Sequence, residues 1–142
     1  MFKVIIAGSR DFSNYSYLKN KMDIILSSIK EDVEIVSGKA PGADTLGENY
    51  AKERNYPIKP FPADWNKFGK RAGPIRNSEM SEYADACVCF WDGKSDGTKN
   101  MIDVARKNKL KLRIINFSTN EVFKKWNLIP LTKNLMNLEH LC

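Results

Sequence analysis

Histidine and cysteine are scarce in this sequence, whose 142 residues include one histidine, His140, and three cysteines. Cys87 and Cys89 are separated by a single residue and Cys142 is distant, so no Cys-x-x-Cys pair or other zinc-ligand spacing occurs. The sequence therefore predicts no metal site. Since Cys87 and Cys89 fall within a predicted buried strand, we expect both to be unreactive core thiols.

Long apolar runs are also missing. No segment approaches the roughly 18 apolar residues of a membrane-spanning helix, and the first residues lack the charged-then-apolar order of a signal peptide. The sequence shows no internal repeat, low-complexity segment or linker between domains. These absences predict a protein that has no membrane contact and is located in the cytoplasm.

The residues that are present are those of an ordinary globular domain. Hydrophobic residues make up 42% and charged residues 28% of the chain, whose length suits one domain with a real core rather than two. Lysine and arginine together number 23 against 17 acidic residues, which gives a net charge of +6. This excess of positive charge favours anionic partners, namely nucleotides or nucleic acid.

Short apolar runs alternate with segments of helical periodicity over residues 1–116. This alternation predicts an α/β domain built on a doubly wound, mainly parallel five-stranded sheet with helices on both faces. Pro60 and Pro62 cannot donate hydrogen bonds within a sheet, which predicts that the third strand lies at an edge. The predicted strands cover residues 3–7, 34–36, 58–62, 86–90 and 111–116.

Three loops that contain glycine each follow a predicted strand, at residues 8–11, 37–44 and 91–98. Because the carboxyl ends of parallel strands meet at one edge of the sheet, we expect these loops to form a common pocket at the topological switch point. Each loop leads into a helix whose first backbone N–H groups have no partner within the helix, and glycine lets a ligand approach them closely. The expected ligand carries phosphate.

Polar side chains in these loops, and in the connection over residues 63–77, are the candidate ligand contacts. Arg10 is predicted to donate two hydrogen bonds to a phosphate, with a surface arginine in a turn as the alternative. Asp44 either holds a ribose hydroxyl or caps its helix, and Trp65 and Trp91 either stack on a base or pack against the protein. The predicted ligand-binding residues are Gly8, Ser9, Arg10, Ser37, Gly38, Ala40, Gly42, Asp44, Arg76, Asn77, Gly97 and Thr98.

Residues 117–142 differ from the domain that precedes them. Thr119 and Thr132 can each cap a short helix, and Pro130 separates the two segments. We therefore predict a short C-terminal helical extension that packs either on the domain or on a partner subunit. Its apolar residues are Val122, Phe123, Trp126, Leu128, Leu131, Leu135 and Leu138.

Four motifs occur in the order Gly8-Ser9-Arg10, Ser37-Gly38-x-Ala40-x-Gly42-Ala43-Asp44, Gly73-Pro74-x-Arg76-Asn77-x-x-Met80 and Gly93-x-x-x-Gly97-Thr98. In this order and spacing they resemble the SLOG superfamily, and in particular its YspA/YpsA-related branch, which is common in bacteria and phages. The resemblance covers residues 1–116, which we expect to form the nucleotide-binding domain, and leaves the extension over residues 117–142 outside it.

The resemblance implies a Rossmann-like fold that binds nucleotides or nucleotide-derived molecules. The superfamily includes the Lonely Guy phosphoribohydrolases, sensor domains of antiphage systems that bind NAD or cyclic ADP-ribose ligands, and the DNA-processing protein DprA. It implies no required cofactor other than the nucleotide-derived ligand itself, and it implies assembly into a homodimer or a larger homo-oligomer.

The Lonely Guy enzymes use an arginine on the helix before the fourth strand and a glutamate in a Gly-Gly-x-Gly-Thr-x-x-Glu motif. By this resemblance Arg76 matches the arginine and would be catalytic if the protein is an enzyme, but Met101 stands at the position of the glutamate. Methionine can neither act as a base nor stabilise a cationic intermediate by charge. Asp96 and Glu79 are candidate substitutes that their spacing does not single out, so binding is favoured over hydrolysis.

Three functions stay open at this point. The preferred one is a sensor or sequestering module that binds ADP-ribose, cyclic ADP-ribose or a NAD-like molecule. A phosphoribohydrolase that cleaves an N-glycosidic bond is the first alternative. Single-stranded DNA binding is the second, which the net charge favours, although the positive charges are scattered and an aromatic stacking platform is not evident.

Overall fold

The computed structural model describes residues 1–125, which fold into a sheet with helices on both sides. The strands are β1 (Phe2–Gly8), β2 (Val33–Ser37), β3 (Ile58–Pro60), β4 (Ala86–Trp91), β5 (Lys111–Asn116) and β6 (Glu121–Lys125). The helices are α1 (Tyr15–Leu26), α2 (Ala43–Arg54), α3 (Trp65–Phe68), α4 (Ala72–Tyr83) and α5 (Asp96–Lys107), and a 3-10 turn (Gly69–Arg71) joins α3 to α4.

The strand order is β3-β2-β1-β4-β5-β6, and all neighbours are parallel except β5 and β6. The chain runs outwards from β1 to β3, then crosses back to lay β4 on the other side of β1. The switch point therefore lies between the carboxyl ends of β1 and β4, where Gly8 pairs in register with Phe90. The predicted α/β class with a doubly wound, mainly parallel sheet is confirmed, and β3 lies at an edge as its prolines predict.

Alternate residues of the central strands face two separate cores. On the first face, Val4 and Ile6 of β1 pack with the apolar side chains of α1 and α2. On the second face, Ile5 and Ala7 pack with those of α4 and α5. Because both faces of β1 are covered, its sequence is a continuous apolar run rather than an alternating one.

Local signals explain where several helices begin and end. The side chain of Asn14 accepts a hydrogen bond from the Tyr17 N–H at the start of α1, and Asp64 does the same for Lys67 at the start of α3. Helix α2 ends at Arg54 and is followed by the capping residue Asn55, whose φ of 59° is left-handed, a conformation that asparagine tolerates.

The sixth strand corrects two predictions, because the sheet has one strand more than expected and residues 121–125 are not helical. Thr119 lies in the turn of a hairpin, where the Asn116 side chain accepts hydrogen bonds from the Ser118 and Thr119 N–H groups. Val122 is then buried on the first face and Phe123 on the second. Two adjacent apolar residues fit a strand covered on both faces as well as one turn of a helix, so the pattern alone did not distinguish them.

The remaining predictions for the C-terminal extension lie outside the described residues. They concern the helix cap at Thr132, the apolar residues listed from Trp126 onwards, His140 and Cys142. Within residues 1–125, no helix is both long and apolar enough to cross a membrane.

The packing of Phe123 predicts that β6 is an integral part of the sheet. Phe123 is 8% exposed, is in register with Ile114, and lies 5.0 Å from the Arg106 guanidinium. Phe123→Ala is expected to lower the free energy of unfolding by about 3 kcal/mol, because it removes a buried ring and leaves a cavity. Urea unfolding measures the change.

Ser118→Ala is the matched control, because Ser118 is exposed in the preceding turn and its backbone N–H survives the change. This variant is expected to stay within about 0.5 kcal/mol of the wild type. Equal stabilities for the two variants would contradict the assignment of residues 121–125 to the sheet.

Candidate functional site

A cavity of about 570 Å³ lies at the carboxyl ends of β1 and β4, at the switch point of the sheet. Its volume is within the range of about 300–1,000 Å³ that small-molecule sites occupy. The loops after β1, β2 and β4 and the segment over α3 and α4 all contribute to its wall. The predicted ligand-binding residues that line it are Gly8, Arg10, Ala40, Asp44, Arg76, Asn77, Gly97 and Thr98, and Trp65 joins them.

Arg76 is a buried cation at this cavity, with only 8% of its side chain exposed. It projects from α4, where its Nε donates to the Asn77 side chain at 2.9 Å and its Nη1 donates to the Gly38 carbonyl. Its Nη2 has no hydrogen-bond partner, and the guanidinium makes no ion pair, among residues 1–125. A donor and a positive charge are therefore left for a molecule in the cavity.

Asp44 is a buried carboxylate in the first turn of α2, 5% exposed. Its Oδ2 accepts a hydrogen bond from the Ala40 N–H at 3.2 Å. A Cβ placed on Gly38 would lie 2.8 Å from this Oδ2 and 2.8 Å from the Nη1 of Arg76. A side chain on Gly38 would therefore displace at least one of the two charged groups.

Burial sets the pKa of both groups. It raises the pKa of Asp44 to about 6, against the opposing effects of the Ala40 N–H and the Arg76 charge. It lowers the pKa of Arg76, while the nearby Asp44 acts in the opposite direction. A carboxyl group that titrates near neutral pH beside a buried guanidinium is typical of binding and catalytic sites.

Arg10 and Lys70 add positive charge at the mouth of the cavity. Both side chains are exposed and line it, and neither makes a hydrogen bond or an ion pair within the described part of the chain. Arg10 follows the carboxyl end of β1, whereas Lys70 belongs to the turn between α3 and α4. Their side chains are available to an anion without breaking any contact of the fold.

The amino terminus of α5 also faces the cavity. The first backbone N–H of α5 that donates a hydrogen bond is that of Lys99, to the Ser95 carbonyl at 3.1 Å. The N–H groups of Asp96, Gly97 and Thr98 make no hydrogen bond to residues 1–125. They form a set of donors at a helix terminus, the arrangement that binds phosphate in α/β proteins.

Ser9 holds the loops together rather than lining the cavity. It is 1% exposed, its Oγ lies 3.1 Å from the Ser95 Oγ, and it accepts a hydrogen bond from the Asp92 N–H at 3.1 Å. Its carbonyl accepts from the Ala43 N–H at 3.2 Å. Ser9 therefore connects the loop after β1 to those after β4 and β2.

Four other predicted residues, Ser37, Gly38, Gly42 and Trp91, also do not line the main cavity. The Ser37 hydroxyl donates to the Glu48 carboxylate at 2.6 Å, and the Trp91 indole donates to the Ser95 carbonyl at 3.0 Å. Gly42 has a φ of 77°, and a Cβ there would lie 2.3 Å from the Ser9 carbonyl oxygen, so this glycine allows the first two loops to meet. Gly38 lines a second cavity beside the first one.

Asn77 connects α4 to α5. Its side-chain oxygen accepts from Arg76 and its nitrogen donates to the Asn100 side chain at 3.0 Å. Asn100 was not predicted as a site residue, although it lies one helical turn after Gly97 and therefore on the same face of α5. The other lining residues that were not predicted are Ala7, Asp11, Lys70, Gly73, Pro74, Met80, Asp92, Ser95, Asp96 and Met101.

Met80 and Met101 form an apolar floor, each 1% exposed. Asp96 lines the cavity, whereas Glu79 is exposed and does not. Within residues 1–125, no group of three or more histidine, cysteine or acidic side chains is arranged to hold a metal ion. The site therefore combines cationic and N–H donors with the buried carboxylate of Asp44, and Asp11, Asp92 and Asp96 add less buried acidic side chains to its lining.

Comparisons with known proteins agree with this architecture. A family model described as the YspA, cpYpsA-related SLOG family matches residues 2–68, which include the first two glycine loops. The Gene 61 protein of Mycobacterium phage D29 is 32% identical over 123 residues, which cover 82% of this chain and 97% of that protein.

Two solved structures are similar in fold. TM1055, a structural-genomics target, has a TM-score of 0.58 at 19% identity and is matched over 79% of this chain and 72% of its own. DNA processing protein A (DprA) from Streptococcus pneumoniae has a TM-score of 0.65 at 15% identity, over 97% of this chain and 56% of its own. At these identities the likeness concerns the fold alone.

The raised pKa of Asp44 predicts a pH-dependent cost to stability. Between about pH 4 and pH 6 the folded protein holds a proton on Asp44 that the unfolded chain has already released. The free energy of unfolding therefore falls over this range, and the stability that protonated Asp44 contributes is lost as pH rises through 6. Asp44→Asn carries no charge at any pH. The free energy of unfolding of Asp44→Asn minus that of the wild type is therefore expected to increase by about 3 kcal/mol between pH 4 and pH 8.

Urea unfolding at several pH values measures this difference. Asp103→Asn, which removes an exposed carboxylate from α5, is the control and is expected to follow the wild-type profile. If the Asp44→Asn profile also ran parallel to the wild type, the carboxyl group of Asp44 would not be desolvated as described.

Proposed function

The chain belongs to the YspA/cpYpsA-related SLOG family, and we propose that it binds a nucleotide-derived phosphorylated ligand. The ligand class is ADP-ribose, cyclic ADP-ribose or a NAD-like molecule, bound at the carboxyl edge of the sheet. In this proposal the protein acts as a sensor or a sequestering module.

The observation that carries the proposal is the buried guanidinium of Arg76 in the cavity wall, which makes no ion pair with residues 1–125. Removing a charge from water is costly unless it is paired. Among the described residues the nearby carboxylate of Asp44 is not within ion-pair distance of it. An anionic ligand that contacts Nη2 would compensate the cost, and its binding energy would include that compensation.

The other polar groups suit different parts of such a ligand. Phosphate oxygens can accept from the free N–H groups at the start of α5 and from Arg10. Asp44 can accept a hydrogen bond from a ribose hydroxyl, because one of its oxygens is already fixed by Ala40. The free donors of Arg10 and of α5 therefore suit phosphate, and the buried carboxylate of Asp44 suits a sugar hydroxyl, although the exposed Asp11 and Asp96 also line the cavity.

Binding without turnover is preferred because Met101 forms part of the cavity floor. A thioether there supplies neither a base nor a negative charge for N-glycosidic cleavage. Cleavage is kept as a second candidate because of Asp44, whose pKa of about 6 is suited to proton transfer near neutral pH. Release of free base or ribose 5-phosphate, lost in Asp44→Asn, would support this candidate.

A thermal-shift screen tests the proposal. The panel contains NAD, ADP-ribose, cyclic ADP-ribose isomers, AMP, GMP and short single-stranded DNA. A ligand at a hundred times its Kd is expected to stabilise the protein by about 2.7 kcal/mol. Arg10→Ala is expected to weaken a hit by about 10- to 100-fold, since a hydrogen bond to a charged group contributes about 1.5–3 kcal/mol.

Arg71→Ala is the matched control, because Arg71 is also exposed, carries the same charge and does not line the cavity. Equal weakening by both arginine variants would indicate diffuse charge attraction instead of a specific contact. A stabilising effect of DNA alone would replace the proposal with single-stranded DNA binding. Chromatography of each hit after incubation separates binding from cleavage.

A further inference from the structure

A second cavity, of about 530 Å³, lies directly beside the one at the switch point. We call the first the switch-point cavity and the second the outer cavity. The two share four lining residues, so they meet along a common wall rather than lying on separate surfaces. The shared residues are Arg10, Ala40, Trp65 and Arg76.

The outer cavity has a different chemical character from its neighbour. Pro41, Pro62 and Ala63 supply apolar walls, and Lys39 is its one charged residue that the switch-point cavity lacks. Trp65 is 49% exposed, although the edge of its indole lies 3.3 Å from the position of a Cβ on Gly73. Apolar walls and an accessible indole suit a flat ring, whereas helix-terminal N–H groups suit phosphate.

Both sides of the outer cavity are held by hydrogen bonds of the fold. On one side, the Ala40 carbonyl accepts from the Thr45 hydroxyl at 3.0 Å, and its N–H donates to Asp44 at 3.2 Å. On the other side, the Phe61 N–H donates to the Ser37 carbonyl at 2.7 Å, just before Pro62. The outer cavity is therefore preformed, so binding does not require its walls to be ordered first.

We propose that the outer cavity is a second subsite, for a planar ring at the far end of a two-ended nucleotide. The phosphates that join the two ends contact Arg10, Arg76 and the N–H groups at the start of α5, one nucleoside occupies the rest of the switch-point cavity, and Trp65 stacks on the second ring. This inference rests on the proposed function and specifies its ligand as a dinucleotide joined through phosphates.

The position of the two arginines carries the argument. Both stand where the cavities meet, which puts the cationic groups in the middle of the combined space rather than at one end. A mononucleotide has its phosphate at one end and needs only one cavity of this volume. Along the two cavities, the apolar walls of the outer cavity come first, the two shared arginines next and the polar groups of the switch-point cavity last. A molecule with negative charge at its centre and a ring at each end matches this order.

NAD and its fragments provide the test. Isothermal titration calorimetry compares NAD with AMP, nicotinamide mononucleotide and ADP-ribose, which lacks the second ring. NAD is expected to bind at least about tenfold more tightly than AMP or ADP-ribose, consistent with the contribution of one stacked ring. Trp65→Ala is expected to remove that advantage, and Trp65→Phe to retain it within about threefold.

Ala63→Trp fills the outer cavity from a partly exposed position outside any helix or strand, where a large side chain does not disturb the core. It is expected to lower the affinity for NAD to that for AMP and to leave AMP binding unchanged. Its thermal midpoint without ligand verifies that it is folded.

The outcomes separate this inference from the proposed function. If AMP binds but NAD binds no more tightly than AMP or ADP-ribose, or if Ala63→Trp weakens AMP as much as NAD, the second subsite is overturned while nucleotide binding stands. If NAD and all its fragments fail to bind the wild type, this ligand assignment falls. Binding of other nucleotides in the broader screen then decides whether the proposed function survives.

Discussion

Two ionisable side chains, Arg76 and Asp44, are withdrawn from water at the carboxyl edge of the sheet, and the surrounding structure serves to hold them there. Arg76 is oriented by a carbonyl of the second loop and by Asn77, and Asp44 by an N–H of the second loop. Burial disfavours both charges, as the directions of their pKa changes show. The site is therefore less stable than an apolar substitute would be, which is common where binding energy must be held ready for a ligand.

This arrangement depends on contacts that the loops make with one another. The Ser9 side chain and carbonyl contact two other loops, and Gly42 has no side chain because the backbone of the first loop occupies that space. Asn77 and Asn100 then join the two helices of the second face. Residues that look like ligand contacts in sequence can thus act one step away from the cavity, as supports.

The sequence predicts those features of the fold that follow from the local pattern of apolar, glycine and polar residues. The apolar run of β1 and the glycine loops after three strands were sufficient to predict the parallel part of the sheet, a pocket at its switch point and nine of the twenty residues that line the cavity. It does not predict side-chain direction, so Ser37 was predicted to contact the ligand and Trp91 was left open between stacking and packing, whereas both hydrogen-bond within the protein. The adjacent apolar residues Val122 and Phe123 fit a strand buried on both faces and a turn of helix equally well. The outer cavity arises from segments that approach only in the folded chain, so no spacing indicates it.

The wall of the outer cavity that contains Pro62, Ala63 and Trp65 follows β3, the edge strand, and lies outside the parallel core of the sheet. Changes of length or composition there would leave the central strands, the buried charges and the helix amino termini untouched. Loops of this kind tolerate insertion and deletion far better than the elements they join. In the proposed binding mode, evolution can therefore alter which second ring is accepted without rebuilding the contacts to phosphate.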